Sequence, residues 1–118
     1  MYEFNTTEPI YIQMIDIFKQ KIVSGEWQRG SRTPTVRDLA IEYGINPNTV
    51  QRSLSELERE GLMYCERTSG RYITSDESLI KKEKERIAQK EVDGFMKRMS
   101  AVGCSKDEII DFVRNYNS

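Results

Sequence analysis

Between Gly44 and Gly61 the chain reads GINPNTVQRSLSELEREG, and its polar residues have the types and spacing to read nucleic-acid bases. Asn48, Gln51, Arg52, Ser55 and Arg59 fall on one side of a helix. An amide can pair with an adenine edge and a guanidinium with a guanine edge, in a major groove wide enough to admit a helix. No acid interrupts the set before Glu56. Val50, Leu54 and Leu57 lie about half a turn away and form an apolar stripe that would hold the helix on a core. Asn46 can cap the helix start, and Pro47 suits the first helical position, where a missing N–H costs nothing. Any solvated surface helix also has a polar outer face, so the flanking residues must decide between the two readings.

Upstream, Thr35 can cap a helix in which Val36, Leu39, Ala40 and Tyr43 share a side, and Gly44 ends it. A short helix, a glycine turn and a second helix with a polar face describe a helix-turn-helix, whose second helix enters the groove. Earlier still, Ile10, Tyr11, Met14, Ile15, Phe18 and Ile22 recur at helical spacing to about Ser24, with Thr7 able to cap and Pro9 in the first turn. Gly25 stops that helix, and Trp27 packs on it as a core aromatic. Gln28 to Pro34 read as a loop or a very short strand. Downstream, Leu62–Arg67 and Arg71–Thr74 are strand-like around the turn Thr68, Ser69 and Gly70, which makes a hairpin placed as a wing. Its tip, with Arg71 beside Gly70, can reach phosphate or a minor groove, or can be a plain solvated turn.

Composition narrows the chemistry. The 118 residues carry a net charge of −1, with 37% hydrophobic and 31% charged residues, which fits one compact domain and an appendage. Bulk charge therefore does not advertise a nucleic-acid partner and predicts weak non-specific affinity. Local charge does point to one: Trp27–Arg37 holds Arg29, Arg32 and Arg37 with no acid, and Arg67–Ser75 holds Arg67 and Arg71 with none. With no histidine, and Cys65 and Cys104 far apart, zinc-finger spacing and a structural disulfide are not expected. No metal or cofactor is expected, and no general base, activated cysteine or glycine-rich phosphate loop suggests an enzyme. There is no membrane-length apolar run and no signal peptide, so a reducing cytoplasm is the natural compartment.

From Asp76 the texture changes again. Asp76 or Ser75 can cap a long helix to about Ala101, which opens on the charged LIKKEKERIAQKE and then adds Val92, Phe95, Met96, Met99 and Val102. Gly103 breaks it, and Ser105 caps a last helix with the stripe Ile109, Phe112 or Val113, and Tyr116. Such a pair leaves apolar surface uncovered, so Phe95, Met99, Phe112, Val113 and Tyr116 are the expected homodimer interface, with folding back on the wing domain as the alternative. The expected architecture is mainly α with a small β-hairpin (α+β): a winged helix-turn-helix over residues 1–75 and a two-helix dimerisation tail over 76–118. A small-molecule effector is left open. The tail is short for enclosing one, although a groove between two tails can provide roughly the 300 Å³ a pocket needs.

The segments PIYIQMIDIFKQKIVSGEW, RGSRTPTVRDLA, GINPNTVQRSLSELEREGLM and ERTSGRYIT, in that order and spacing, resemble the GntR family of bacterial transcription regulators. The short tail resembles its YtrA-type branch. Thr33 stands where the family usually has leucine, and Thr35 where it has serine, which keeps a capping hydroxyl. The resemblance implies a homodimeric repressor of its own operon, which often encodes ABC transporter components, acting on double-stranded operator DNA. By position it assigns DNA contacts to Arg37, Asn46, Asn48, Thr49, Gln51, Arg52, Ser69, Gly70 and Arg71. The alternative function is a winged-helix protein-interaction module without specific DNA binding.

Overall fold

The computed structural model describes residues 3–117. Three helices and a hairpin come first: α1 (Ile10–Val23), α2 (Val36–Tyr43), α3 (Pro47–Arg59), β1 (Met63–Glu66) and β2 (Gly70–Ile73). Two more helices follow, α4 (Glu77–Ala101) and α5 (Lys106–Arg114). The chain divides into two compact units, one through Lys84 and one from Glu85.

In the first unit the expected stripes converge on one core. Met14, Phe18 and Ile22 of α1 meet Leu39 and Tyr43 of α2, Val50, Leu54 and Leu57 of α3, and Leu62, Met63 and Ile73 around the hairpin. Each large side chain withdrawn from water contributes about 1.5–3 kcal/mol before entropy is counted. Phe18 stacks on Trp27 at 5.2 Å between ring centroids and meets Tyr43 edge-on at 6.0 Å. Trp27 is thus a core aromatic, as its position beside the first helix suggests.

Local capping sets the helix starts. The Thr35 hydroxyl accepts the Asp38 N–H at 3.1 Å, and the Asn46 side-chain oxygen accepts the Asn48 N–H at 2.7 Å. Between α2 and α3, Gly44 takes a left-handed φ of 66°, which spares the turn the steric cost a Cβ would bring. The start of α1 differs from expectation. Pro9 is its N-cap residue and offers no side-chain bond, while the Asn5 side chain accepts the N–H groups of Thr7 and Glu8. Thr7 therefore donates its hydroxyl to Asn5 and does not cap.

The hairpin is antiparallel, pairing Met63 with Ile73 and Glu66 with Gly70. The short stretch before α2 joins it. Arg32 bridges to Tyr72, the Thr33 N–H donates to the Arg71 carbonyl, and the Ile73 N–H donates to the Ser31 carbonyl. Thr33 is buried, and its hydroxyl also lies 3.3 Å from the Arg71 carbonyl. A hydroxyl in place of leucine here adds a polar tie to the wing.

At α4 the cap is Asp76, whose carboxylate accepts the N–H groups of Ser78 and Leu79. The composition changes at Ser75, but the first unit runs on to Lys84, inside α4. Leu79 and Ile80 pack on the first core, and Glu83 pairs with the buried Lys19 at 3.2 Å. In the second unit Ser105 and Glu108 form a reciprocal capping box at the start of α5. Ile109 is buried there, Phe95, Met96 and Met99 are half-buried, and Phe112, Val113 and Tyr116 are exposed.

Candidate nucleic-acid interface

On α3 the polar and apolar sides separate as their spacing requires. Val50, Leu54 and Leu57 are fully buried, whereas Asn48, Gln51, Arg52 and Ser55 are exposed. Asn46 is exposed at the helix start and Thr49 is half-buried beside it. The Gln51 amide donates to the Ser55 hydroxyl at 3.2 Å, a one-turn bond between two surface groups that solvent or a base edge can replace. Arg37 is exposed in the first turn of α2, and Ser69 and Gly70 lie half-buried at the hairpin turn.

The arginines around this face are held in different ways. Arg59 pairs with Glu56, and that hydrogen bond holds the Glu56 carboxyl below the usual carboxylate range and raises the Arg59 guanidinium above its own. Arg29 pairs with Glu77. Arg71 does not extend from the wing tip. Its side chain is 17% exposed and turns toward α3, where Nε donates to Glu58. Arg52 instead seats its guanidinium on the Tyr11 ring, 3.6 Å from the centroid.

Arg32 occupies the place by the wing that the sequence suggested for Arg71. A Cβ added at Gly70 would come within 3.1 Å of its Nε, so the glycine is what lets that guanidinium lie against the hairpin backbone. Beside it runs a groove of about 230 Å³ bordered by Arg32, Thr35, Cys65 and Arg71. The stretch around Arg32 is acid-free in the sequence, but nothing local links Arg32 to Gly70. Tyr11 reads in the sequence only as part of the α1 stripe and Glu58 carries no signal there, because each acts through a partner distant in the chain.

Among the described residues no group of His, Cys, Asp or Glu could hold a metal ion, and no helix is long and apolar enough to cross a membrane. What the arrangement presents is a helix with an outward amide-and-guanidinium face, a preceding helix joined by a tight turn, and a hairpin fastened alongside. That is a winged helix-turn-helix, the class of DNA-binding domains that set a helix in a groove.

Residues 10–73 match the bacterial regulatory proteins of the gntR family, and the chain belongs to that family of transcriptional regulators. It is 32% identical over 114 residues to the uncharacterized HTH-type transcriptional regulator YhcF of Bacillus subtilis, covering 97% of this chain and 94% of that one. The HTH-type transcriptional repressor YtrA of the same organism is 39% identical over 71 residues, 60% of this chain and 55% of YtrA. Among solved structures, a GntR family transcriptional regulator from Listeria monocytogenes has a TM-score of 0.87 at 33% identity, covering 97% of this chain and all of that one. These relatives are regulators of transcription, not enzymes.

Proposed function

We propose that this chain is a sequence-specific repressor that binds double-stranded operator DNA as a homodimer and acts in the cytoplasm on its own operon. The observation that carries the reading is the outward face of α3, where Asn48, Gln51 and Arg52 are exposed while Val50, Leu54 and Leu57 are fully buried. A groove-reading helix needs that division, with rigid backing behind and hydrogen-bonding groups free in front. Asn46, Thr49, Arg37, Ser69 and Gly70 surround that face and suit contacts to the sugar–phosphate backbone, which fix register. Arg71, paired with Glu58, holds the wing in place in the free protein.

The named repressor YtrA supports repression as the outcome. Pairing is supported by Phe112, Val113 and Tyr116, which are 61%, 59% and 77% exposed on the last helix and the residues after it. An operon encoding transporter components rests on the YtrA-type resemblance alone. The test is a gel shift with genomic fragments, including the region upstream of the chain's own gene. Retention of that fragment at physiological salt supports the reading, and no retained fragment at low salt overturns it. On the retained site Arg52→Ala should cost about 1–3 kcal/mol, with a smaller loss on scrambled DNA.

A further inference from the structure

Tyr11 lies on the first turns of α1, far in sequence from the reading helix, yet two independent contacts join it to the middle of α3. Its ring carries the Arg52 guanidinium at 3.6 Å. Its carbonyl lies 3.1 Å from the hydroxyl of Ser53, a fully buried residue whose hydroxyl is also 3.0 Å from the Thr49 carbonyl. Tyr11 is half-buried and packs against the core, which restrains its ring beneath Arg52. Arg59 and Arg71, by contrast, are each engaged by a carboxylate, which takes up N–H groups and charge.

A ring holds a guanidinium differently. It attracts the cation through its negative face while leaving the in-plane N–H fork free for an acceptor. A long arginine on an exposed helix face otherwise has many rotamers, and ordering them at the moment of binding opposes affinity. A base-reading arginine also needs a set direction, because bidentate contact with the O6 and N7 of guanine tolerates little error.

We propose that Tyr11 is a positioning residue for base recognition: its ring pre-orients Arg52 so that the guanidinium fork reads a guanine in the major groove. The inference rests on the operator-binding reading above and adds to it the residue that sets the direction of one contact. Tyr11 itself touches no base. Its effect passes through Arg52, so removing the ring matters only while the arginine is present.

The test is sequence selection from a pool of randomised duplexes by the full-length chain, with wild type, Tyr11→Phe, Tyr11→Leu, Arg52→Ala and the Tyr11→Leu/Arg52→Ala pair. Wild type and Tyr11→Phe, which keeps the ring, should enrich the same motif. Arg52→Ala should lose preference for one guanine per half-site by about five-fold or more. Tyr11→Leu should weaken that same preference about two- to five-fold, leave the other positions intact and add nothing to the Arg52→Ala variant. Upfield ring-current shifts of the Arg52 side-chain protons, present in wild type and absent in Tyr11→Leu, report the stack without DNA. Tyr11→Leu selecting the wild-type guanine with undiminished preference overturns the inference alone. So does a loss spread evenly over all positions, or absent ring-current shifts in wild type. Failure of the wild type to enrich any motif overturns the operator-binding reading and the inference together.

Discussion

Arg71 on β2 donates through Nε to the carboxylate of Glu58 on α3, so the hairpin is fastened to the helix it flanks. The two side chains are 17% and 29% exposed, shielded enough for the pair to outlast ordinary surface screening. A backbone tie reinforces it, because the Arg71 carbonyl accepts the Thr33 N–H. The pair therefore helps to hold the wing against the helix, and in the free protein it engages Arg71 with an acid.

Glu58→Gln removes the carboxylate and frees Arg71. Stability should fall by about 1–2 kcal/mol, read as a lower urea midpoint. On non-specific duplex, the released arginine should tighten binding at low salt and steepen the log–log salt dependence by about one. Fluorescence anisotropy over a salt series measures this. An unchanged slope would confine Arg71 to a structural role.

Lys19 on α1 is buried, and its ammonium lies 2.8 Å from Glu60 at the end of α3 and 3.2 Å from Glu83 on α4. Replacing it with methionine keeps the stem packed but withdraws the ammonium that both carboxylates share. Lys19→Met should cost about 2–3 kcal/mol, below the full cost of breaking a buried pair because Glu60 is 31% exposed. Adding Glu60→Gln and Glu83→Gln should restore most of the loss. Urea denaturation of the single and triple variants decides the matter, and a triple variant no better than the single would show that the two carboxylates do not carry the effect.

These cases mark what the sequence could disclose. Asn46, Thr35 and Ser105 cap their helices through bonds to N–H groups two or three positions away, so local residue types were enough. The burial of Val50, Leu54 and Leu57 followed from helical period, which also placed Asn48, Gln51 and Arg52 outside. The fate of individual arginines was not legible. Glu58 lies 13 positions before Arg71, and the Ser53–Tyr11 tie spans 42, so both depend on how the hairpin and α1 dock. The sequence shows Thr33 only as a departure from the family's leucine, because its bond to the Arg71 carbonyl exists only after the stretch before α2 has joined β2.

Acid should loosen the start of α5 through one group. The Glu108 carboxyl is held below its ordinary value of 4.5, chiefly by the Ser105 backbone N–H that it accepts in the capping box. A depressed folded pKa means that the charged form is the one folding favours. Its contribution is complete above about pH 4.5 and fades as pH falls through the lower folded value. The Ser105 amide should therefore lose protection against exchange, relative to the unfolded chain's own rate at the same pH, over that acid range. Glu108→Gln should flatten this dependence while keeping an acceptor for the N–H. A wild-type amide whose protection does not change with pH there would show that the box adds nothing.

Pairing through the tail is best tested where a charge cannot damage the unit's own packing. Phe95 and Met99 are half-buried, so an acid at either one disturbs the unit whether or not a partner exists. Phe112 and Val113, at 61% and 59% exposed, carry no such ambiguity. Phe112→Asp with Val113→Asp should leave helix content by circular dichroism unchanged and shift the light-scattering mass from two chains toward one. Paired readers gain from engaging two half-sites through one assembly, so affinity for a two-fold operator should fall by about a hundred-fold or more while half-site affinity holds. A double variant still at the mass of two chains would place the interface elsewhere. Wild type already at the mass of one would remove tail pairing from the proposed function.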